Sequence, residues 1–182
     1  MADIKEMNSA ALTQKFGNGE LSGRWNLVPA RSSVTLATKS LFNLVSVKGS
    51  FTSFDAYGEV GPTGEVQGRL TIAAASIATK NTKRDTHLRS ADFFTVDRFP
   101  SIVFELNRLA LTSAGASVEG TLTVLETTKA VSAPATVELS NTGEAVIELT
   151  LEIDRSEFGL TWAKMGASVK NTVTLHLSFA HA

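Results

Sequence analysis

The stretch Val146-Ile147-Glu148-Leu149-Thr150-Leu151-Glu152-Ile153 sets a bulky apolar residue at every second position from Ile147 onward. In an extended chain that period places the apolar side chains on one face, whereas a helix would scatter them around its axis. The pattern continues on both sides. Val173, Leu175, Leu177 and Phe179 follow it downstream, and Ala135-Thr136-Val137-Glu138-Leu139 precedes it across the turn signal Asn141-Thr142-Gly143. Further upstream, Ser117-Val118-Glu119-Gly120-Thr121-Leu122-Thr123-Val124, Ile102-Val103-Phe104-Glu105-Leu106 and Glu65-Val66-Gln67-Gly68-Arg69-Leu70-Thr71-Ile72 alternate in the same way. So do Ser33-Val34-Thr35-Leu36-Ala37-Thr38 and Val45-Ser46-Val47, which runs on to Gly49, Phe51 and Phe54. Many such runs without interleaved helices predict an all-β antiparallel domain, either a barrel or a sandwich. Alternation alone leaves those two open.

Two segments break the period. Residues 1–23 are mixed and polar, and are expected to be a flexible N-terminal extension with a short helical turn about Met7 to Phe16. Residues 74–99 read as a short helical excursion between strands. Asn81 is placed to cap a helix carrying Arg84 and Leu88 on one face, and Asp92 to cap a second turn. Pro100 then restores extended backbone.

Bulk properties exclude several classes. A chain of 182 residues forms one core, here expected over residues 24–182. A formal charge of -1 gives no basic field for nucleic acid, and the absence of cysteine removes disulfides and thiolate sites. Asp3, Lys5 and Glu6 fall where a leader peptide needs apolar residues, and no run is long enough for a membrane helix, so a soluble cytoplasmic protein is expected. No nucleophile elbow, zinc-binding helix motif or dinucleotide glycine fingerprint is present, and Gly58-Glu59-Val60-Gly61-Pro62-Thr63-Gly64 reads as a hairpin loop. The expectation is a non-enzymatic protein with no metal and no cofactor. Pairing of two copies through an exposed edge strand stays open.

The segment Thr79 to Phe104, TKNTKRDTHLRSADFFTVDRFPSIVF, resembles the YceI-like family of polyisoprenoid-binding proteins. Trp25-Asn26-Leu27-Val28-Pro29-Ala30-Arg31-Ser32-Ser33-Val34, Val47-Lys48-Gly49-Ser50-Phe51-Thr52-Ser53-Phe54 and Ile153-Asp154-Arg155-Ser156-Glu157-Phe158-Gly159-Leu160 agree in order and spacing, as does the closing strand. The resemblance implies an extended, lipocalin-like antiparallel barrel whose elongated cavity holds a long isoprenoid chain. The chain departs from the family pattern at Arg31 and Ser40, where many members carry histidine, and at Glu126, where glycine is usual.

The composition is skewed toward rings without a hydroxyl, with Phe 10 and Trp 2 against Tyr 1. Phe42, Phe93, Phe94, Phe99, Phe158 and Trp162 lie outside the strand runs, so they either plug a barrel end or line a cavity mouth. Together with Trp25, Leu36, Phe51 and Phe104 they form the expected ligand-binding set. Arg31 is added as a cation for an anionic head group, with Lys39 and Arg84 as further candidates. The cluster Arg84, Asp85, His87 and Arg89 is expected to pin the helical excursion over the barrel rather than to catalyse, and His176 is expected to face solvent.

Overall fold

The computed structural model describes residues 4–182, with side chains from residue 10 onward. Asp3 and the side chains of Lys5 and Glu6, on which the leader argument rests, lie outside the described residues. The strands are β1 (Gly23–Leu27), β2 (Ser33–Ser40), β3 (Val45–Phe51), β4 (Phe54–Val60), β5 (Val66–Ala73) and β6 (Ile77–Ala78). They continue with β7 (Ser101–Thr112), β8 (Gly115–Val124), β9 (Thr127–Leu139), β10 (Ala145–Asp154) and β11 (Lys170–His181).

Three pairs of these strands are single staves bent in the middle. A 3₁₀ turn at Pro29–Arg31 divides β1 from β2, residues 52 and 53 divide β3 from β4, and a turn at Ala74–Ser76 divides β5 from β6. The pairing shows this directly: β1 pairs with β4 while β2 pairs with β3, and β4 pairs with β5 while β3 pairs with β6. Counted so, the staves run up and down in chain order. The last one, β11, returns to pair with β2 through Asn171–His176 and with β1 through Phe179–His181. The sheet is therefore a closed eight-stave antiparallel barrel, which settles the choice that alternation leaves open. Closure removes the free edges of a sheet.

One seam in the wall is incomplete. The β9–β10 ladder joins Leu139–Ala135 to Ala145–Leu149 and stops, although both strands continue toward the far end. Pro134, the next residue of β9, has no N–H with which to extend the ladder. Below it, Val131 and Ala133 of β9 and Leu151 and Ile153 of β10 line the interior with no ladder joining the two strands.

Both barrel ends are covered. At one end lies α1 (Ile4–Gly17), longer than the helical turn expected there. Leu12 and Leu21 are buried and Phe16 packs on the core, so this stretch docks across the barrel end instead of extending freely. Those contacts supply what an isolated helix of this length lacks. At the other end lie α2 (Thr82–Arg89), the turns of residues 90–100 and the segment 155–169. Asn81 caps α2 by accepting from the Arg84 N–H at 3.0 Å. The turn after α2 is anchored on the Ser90 carbonyl, which accepts from the N–H groups of Phe93 and Thr95. Asp92 does not cap it: its carboxylate lies 2.8 Å from His87 Nε2.

Candidate functional site

Inward positions of the staves follow from the parity of the strands. On β4 and β5 they include Ala56, Gly58 and Val60, then Val66, Gly68, Leu70 and Ile72; on β8 they include Val118, Gly120 and Leu122. Gly58 and Gly68 stand opposite each other in the ladder, so one level of the interior lacks side chains on two adjacent strands. The space is real at Gly58, where a Cβ would meet only the Gln67 carbonyl oxygen, at 3.8 Å. At Gly120 the room is already taken, because a Cβ there would lie 2.4 Å from the Phe104 ring and 2.2 Å from the Glu105 carbonyl oxygen.

The result is a hollow barrel with two adjoining cavities. The larger, partly open to solvent, sits beneath α1. Leu12, Phe16 and Leu21 form its roof, and Trp25, Ile147, Leu177 and Phe179 are among its walls. The smaller reaches down to the incomplete seam, where Val131, Ala133, Leu151 and Ile153 line it. Leu70, Phe104, Val118, Leu149 and Leu175 line both. Lining positions on β10 run from Ala145 to Ile153, a path of roughly 26 Å at ~3.3 Å per strand residue. The walls are hydrocarbon almost throughout; the polar residues on them, Tyr57 and Arg69, belong to the outward parity and are engaged by Arg24 and Glu105. An apolar, elongated hollow of this kind can hold an apolar chain and offers no hydrogen bond to its length.

Of the residues singled out from the sequence, Trp25 and Phe104 stand on the cavity walls. Trp25 is held there by its indole N–H, which donates to the Leu21 carbonyl at 3.0 Å. Leu36 packs against the core on β2. Phe51, Phe93, Phe94, Phe158 and Trp162 gather at the end covered by α2, where Phe51 meets Phe94 edge-on and Phe93 lies 5.3 Å from Trp162. They close that end and line neither cavity. Phe99 lies under the Arg98 guanidinium, and Phe42 points into solvent. Arg31 does not stand at a mouth; it pairs with Glu144 at 2.6 Å on the outer wall. The aliphatic wall of Leu149, Leu151, Ile153, Val173 and Leu175 looks like ordinary core in the sequence, and the inward parity of Gly58, with open space before it, is the local sign that this core is hollow.

The charged cluster on α2 is consumed by structural bonds. Arg84 donates from Nε to Thr79 Oγ1 at 2.7 Å and from Nη2 to the Thr79 carbonyl at 3.0 Å. Asp85 accepts from the Thr79 N–H and hydroxyl, and Arg89 donates to the carbonyls of Ala75 and Ile77. His87 packs edge-on to Phe93 and Trp162, and His176 is held outside the barrel by Glu148 at 2.6 Å. Arg155 does the same work for the neighbouring segment. Its buried guanidinium donates to the carbonyls of Leu160, Trp162 and Ser168 and lies over the Phe93 ring. Desolvation pulls that group below its ordinary value while the Asp154 charge opposes the shift. Among the described residues no three of His, Asp and Glu converge as a metal site requires, and no helix is long and apolar enough to cross a membrane.

A family model for the YceI-like domain matches residues 25–181. The chain belongs to the YceI-like family. This YceI-like chain is 42% identical over 78 residues to the UPF0312 proteins of Staphylococcus aureus strains N315 and Mu50. That match covers 42% of the chain and 45% of the curated relatives' own length, somewhat under half. Among solved structures it is similar to BcnA of Burkholderia cenocepacia, with a TM-score of 0.75 and 23% identity over 84% of this chain and 98% of that one. It is also similar to a polyisoprenoid-binding domain from Saccharophagus degradans implicated in plant cell wall breakdown, with a TM-score of 0.68, 15% identity, 87% of this chain and 98% of that one. A Campylobacter jejuni YceI protein aligns with a TM-score of 0.64 and 24% identity over 76% and 86% of the two chains. At these identities the structural likenesses establish the barrel fold alone.

Proposed function

We propose that this YceI-like barrel binds a long isoprenoid-like amphiphile and carries or sequesters it without catalysing a reaction on it. The observation that carries the reading is the pair of adjoining apolar cavities, which share the walls of Leu70, Phe104, Val118, Leu149 and Leu175. Burial of hydrocarbon contributes about 25 cal/mol per Å², so a chain that fills such a space needs no directional bond along its length. Trp25 and Phe104 contact the chain, together with the aliphatic wall of β10 and β11. The rings of Phe51, Phe93, Phe94, Phe158 and Trp162 close the far end, and the incomplete β9–β10 seam gives the chain a way in. The polyisoprenoid-binding description of the Saccharophagus degradans domain supports the ligand class.

The titratable groups of the α2 cluster bond to backbone away from the cavities, which favours a carrier over an enzyme of lipid metabolism. Titration with a long-chain isoprenoid alcohol, read through Trp25 fluorescence in a Trp162→Phe background, tests the reading. Saturable quenching at one equivalent supports it. An unchanged spectrum together with no displacement of a fluorescent prenyl probe would overturn it.

A further inference from the structure

The large hydrophobic side chains exposed among the described residues are not scattered. Leu41, Phe42 and Leu44 in one loop, Val45 at the start of β3 and Met165 in a second loop all lie at one place, beside the end of the barrel that α2 covers. Phe42 is 82% exposed, Leu44 85% and Met165 75%. Single exposed apolar residues are ordinary on any surface, whereas a contiguous cluster marks a contact surface.

The two loops are built to hold this cluster outward. Leu41, Phe42 and Asn43 take left-handed backbone conformations in succession, with φ of 49°, 54° and 70°. Leucine and phenylalanine are disfavoured there, so the turn keeps a strained shape that throws their side chains away from the core. The second loop supports the first: the Phe42 N–H donates to the Gly166 carbonyl at 3.3 Å. Gly166 makes that approach feasible, since a Cβ on it would lie 2.6 Å from the Phe42 nitrogen.

Charge selects the partner. Residues 39–48 and 162–170 contain four lysines and no acidic residue, in a chain whose formal charge is -1. Lys170 pairs with Glu152, whereas Lys39, Lys48 and Lys164 have no ion-pair partner among the described residues. Lys39 and Lys48 stand on the outer faces of β2 and β3, directly behind the apolar tip. Apolar side chains projecting from a convex tip, with a collar of unpaired lysines, match the two layers of an anionic bilayer surface. A second copy docked tip to tip would set lysine against lysine. The tip is also small beside the roughly 800 Å² per partner of a stable protein interface.

We infer that the loops 41–45 and 164–166 form a membrane-docking tip, inserting Phe42, Leu44 and Met165 among the lipids of an anionic bilayer while Lys39, Lys48 and Lys164 meet the phosphates. This goes beyond the carrier reading and does not depend on it. It would place the barrel where an isoprenoid chain is dissolved. The test is sedimentation of the full chain with phosphatidylcholine vesicles, with and without phosphatidylglycerol and free of any isoprenoid, so that failure to carry isoprenoids leaves the result intact.

Binding to the phosphatidylglycerol vesicles, weakened by salt, is expected. The double variant Phe42→Ser/Leu44→Ser should lose at least about tenfold in partitioning, because each side chain loses most of its burial. The triple variant Lys39→Glu/Lys48→Glu/Lys164→Glu should lose the preference for anionic lipid. Melting temperatures of both variants check that the fold persists. Equal binding by the double-serine variant and the parent chain, or no binding to either vesicle, would overturn the inference. So would a concentration-dependent dimer in sedimentation velocity that the double-serine variant abolishes, which would assign the tip to a second copy instead.

Discussion

Replacing Gly58 by leucine fills the larger cavity from within. Gly58 faces inward on β4, pairs with Gly68, and offers open space to a new side chain. Two effects add in the empty protein. Removing a glycine from a strand interior recovers about 0.5–1 kcal/mol, and burying a leucine side chain contributes about 1.5–3 kcal/mol. A gain of about 2–4 kcal/mol raises the melting temperature by roughly 4–16 °C for a domain of this size. For the ligand the sign reverses. The new side chain displaces roughly one isoprene unit, and at about 0.8 kcal/mol per buried CH2 the loss is about 3–4 kcal/mol, a weakening of roughly several hundredfold. Thermal unfolding of the empty protein and titration with an isoprenoid alcohol read the two quantities separately. A variant that is more stable and binds poorly supports the account. One that binds as tightly as the parent shows that the chain does not lie past Gly58, and a destabilised one shows that the space is not there.

Phe104→Ala should widen the join between the two cavities, since that side chain lines both. The best-bound isoprenoid should lengthen, while stability falls by about 3–5 kcal/mol; an unchanged chain-length preference in competition binding would count against that role for Phe104. Arg155→Met leaves the carbonyls of Leu160, Trp162 and Ser168 without their donor, and should cost about 3 kcal/mol in urea unfolding. A loss below about 0.5 kcal/mol would show that the segment 155–169 is held by its aromatics alone. Acid should loosen the same segment. The Ser156 hydroxyl and N–H hydrogen-bond the Asp154 carboxylate and hold its pKa below the ordinary 3.8, against the opposing effect of burial. A depressed folded value stabilises the fold above pH 3.8 and ceases to do so as pH falls through it. Asp154→Asn should therefore flatten the acid limb of the stability curve below that pH, and an unaltered limb would contradict the cap.

The sheet was legible because its two-residue period runs along the staves, unbroken even in residues 146–153, where the ladder to β9 ends at Leu149. What escaped was local. The first half of β9 reads as irregular because Pro134 interrupts it, yet Pro134 is tolerated where the ladder to β10 ends and no N–H is required. The bends at residues 28–32, 52–53 and 74–76 look like ordinary turns, and only the pairing of β1 and β2 with the same strand joins them into staves.

The cavity was legible as a class but not as a set of walls. Aromatics outside the strands pointed to a plugged end or a cavity mouth; Phe93, Phe94, Phe158 and Trp162 gather at the end covered by α2, whereas Phe42 is exposed and Phe99 lies under Arg98. The open space at Gly58 is part of the hollow, and parity assigns that glycine to the interior only when the strand register is known. Arg31 could not be placed from sequence because its partner, Glu144, is more than a hundred residues away.

The central claim is that the interior holds a hydrocarbon chain. Native mass spectrometry of the purified protein, before and after extraction with organic solvent, reads it most directly. The account predicts a bound species of isoprenoid-like mass at one per barrel that extraction removes and a long isoprenoid alcohol restores. A protein that stays at its bare mass before extraction and after incubation with the alcohol would contradict it.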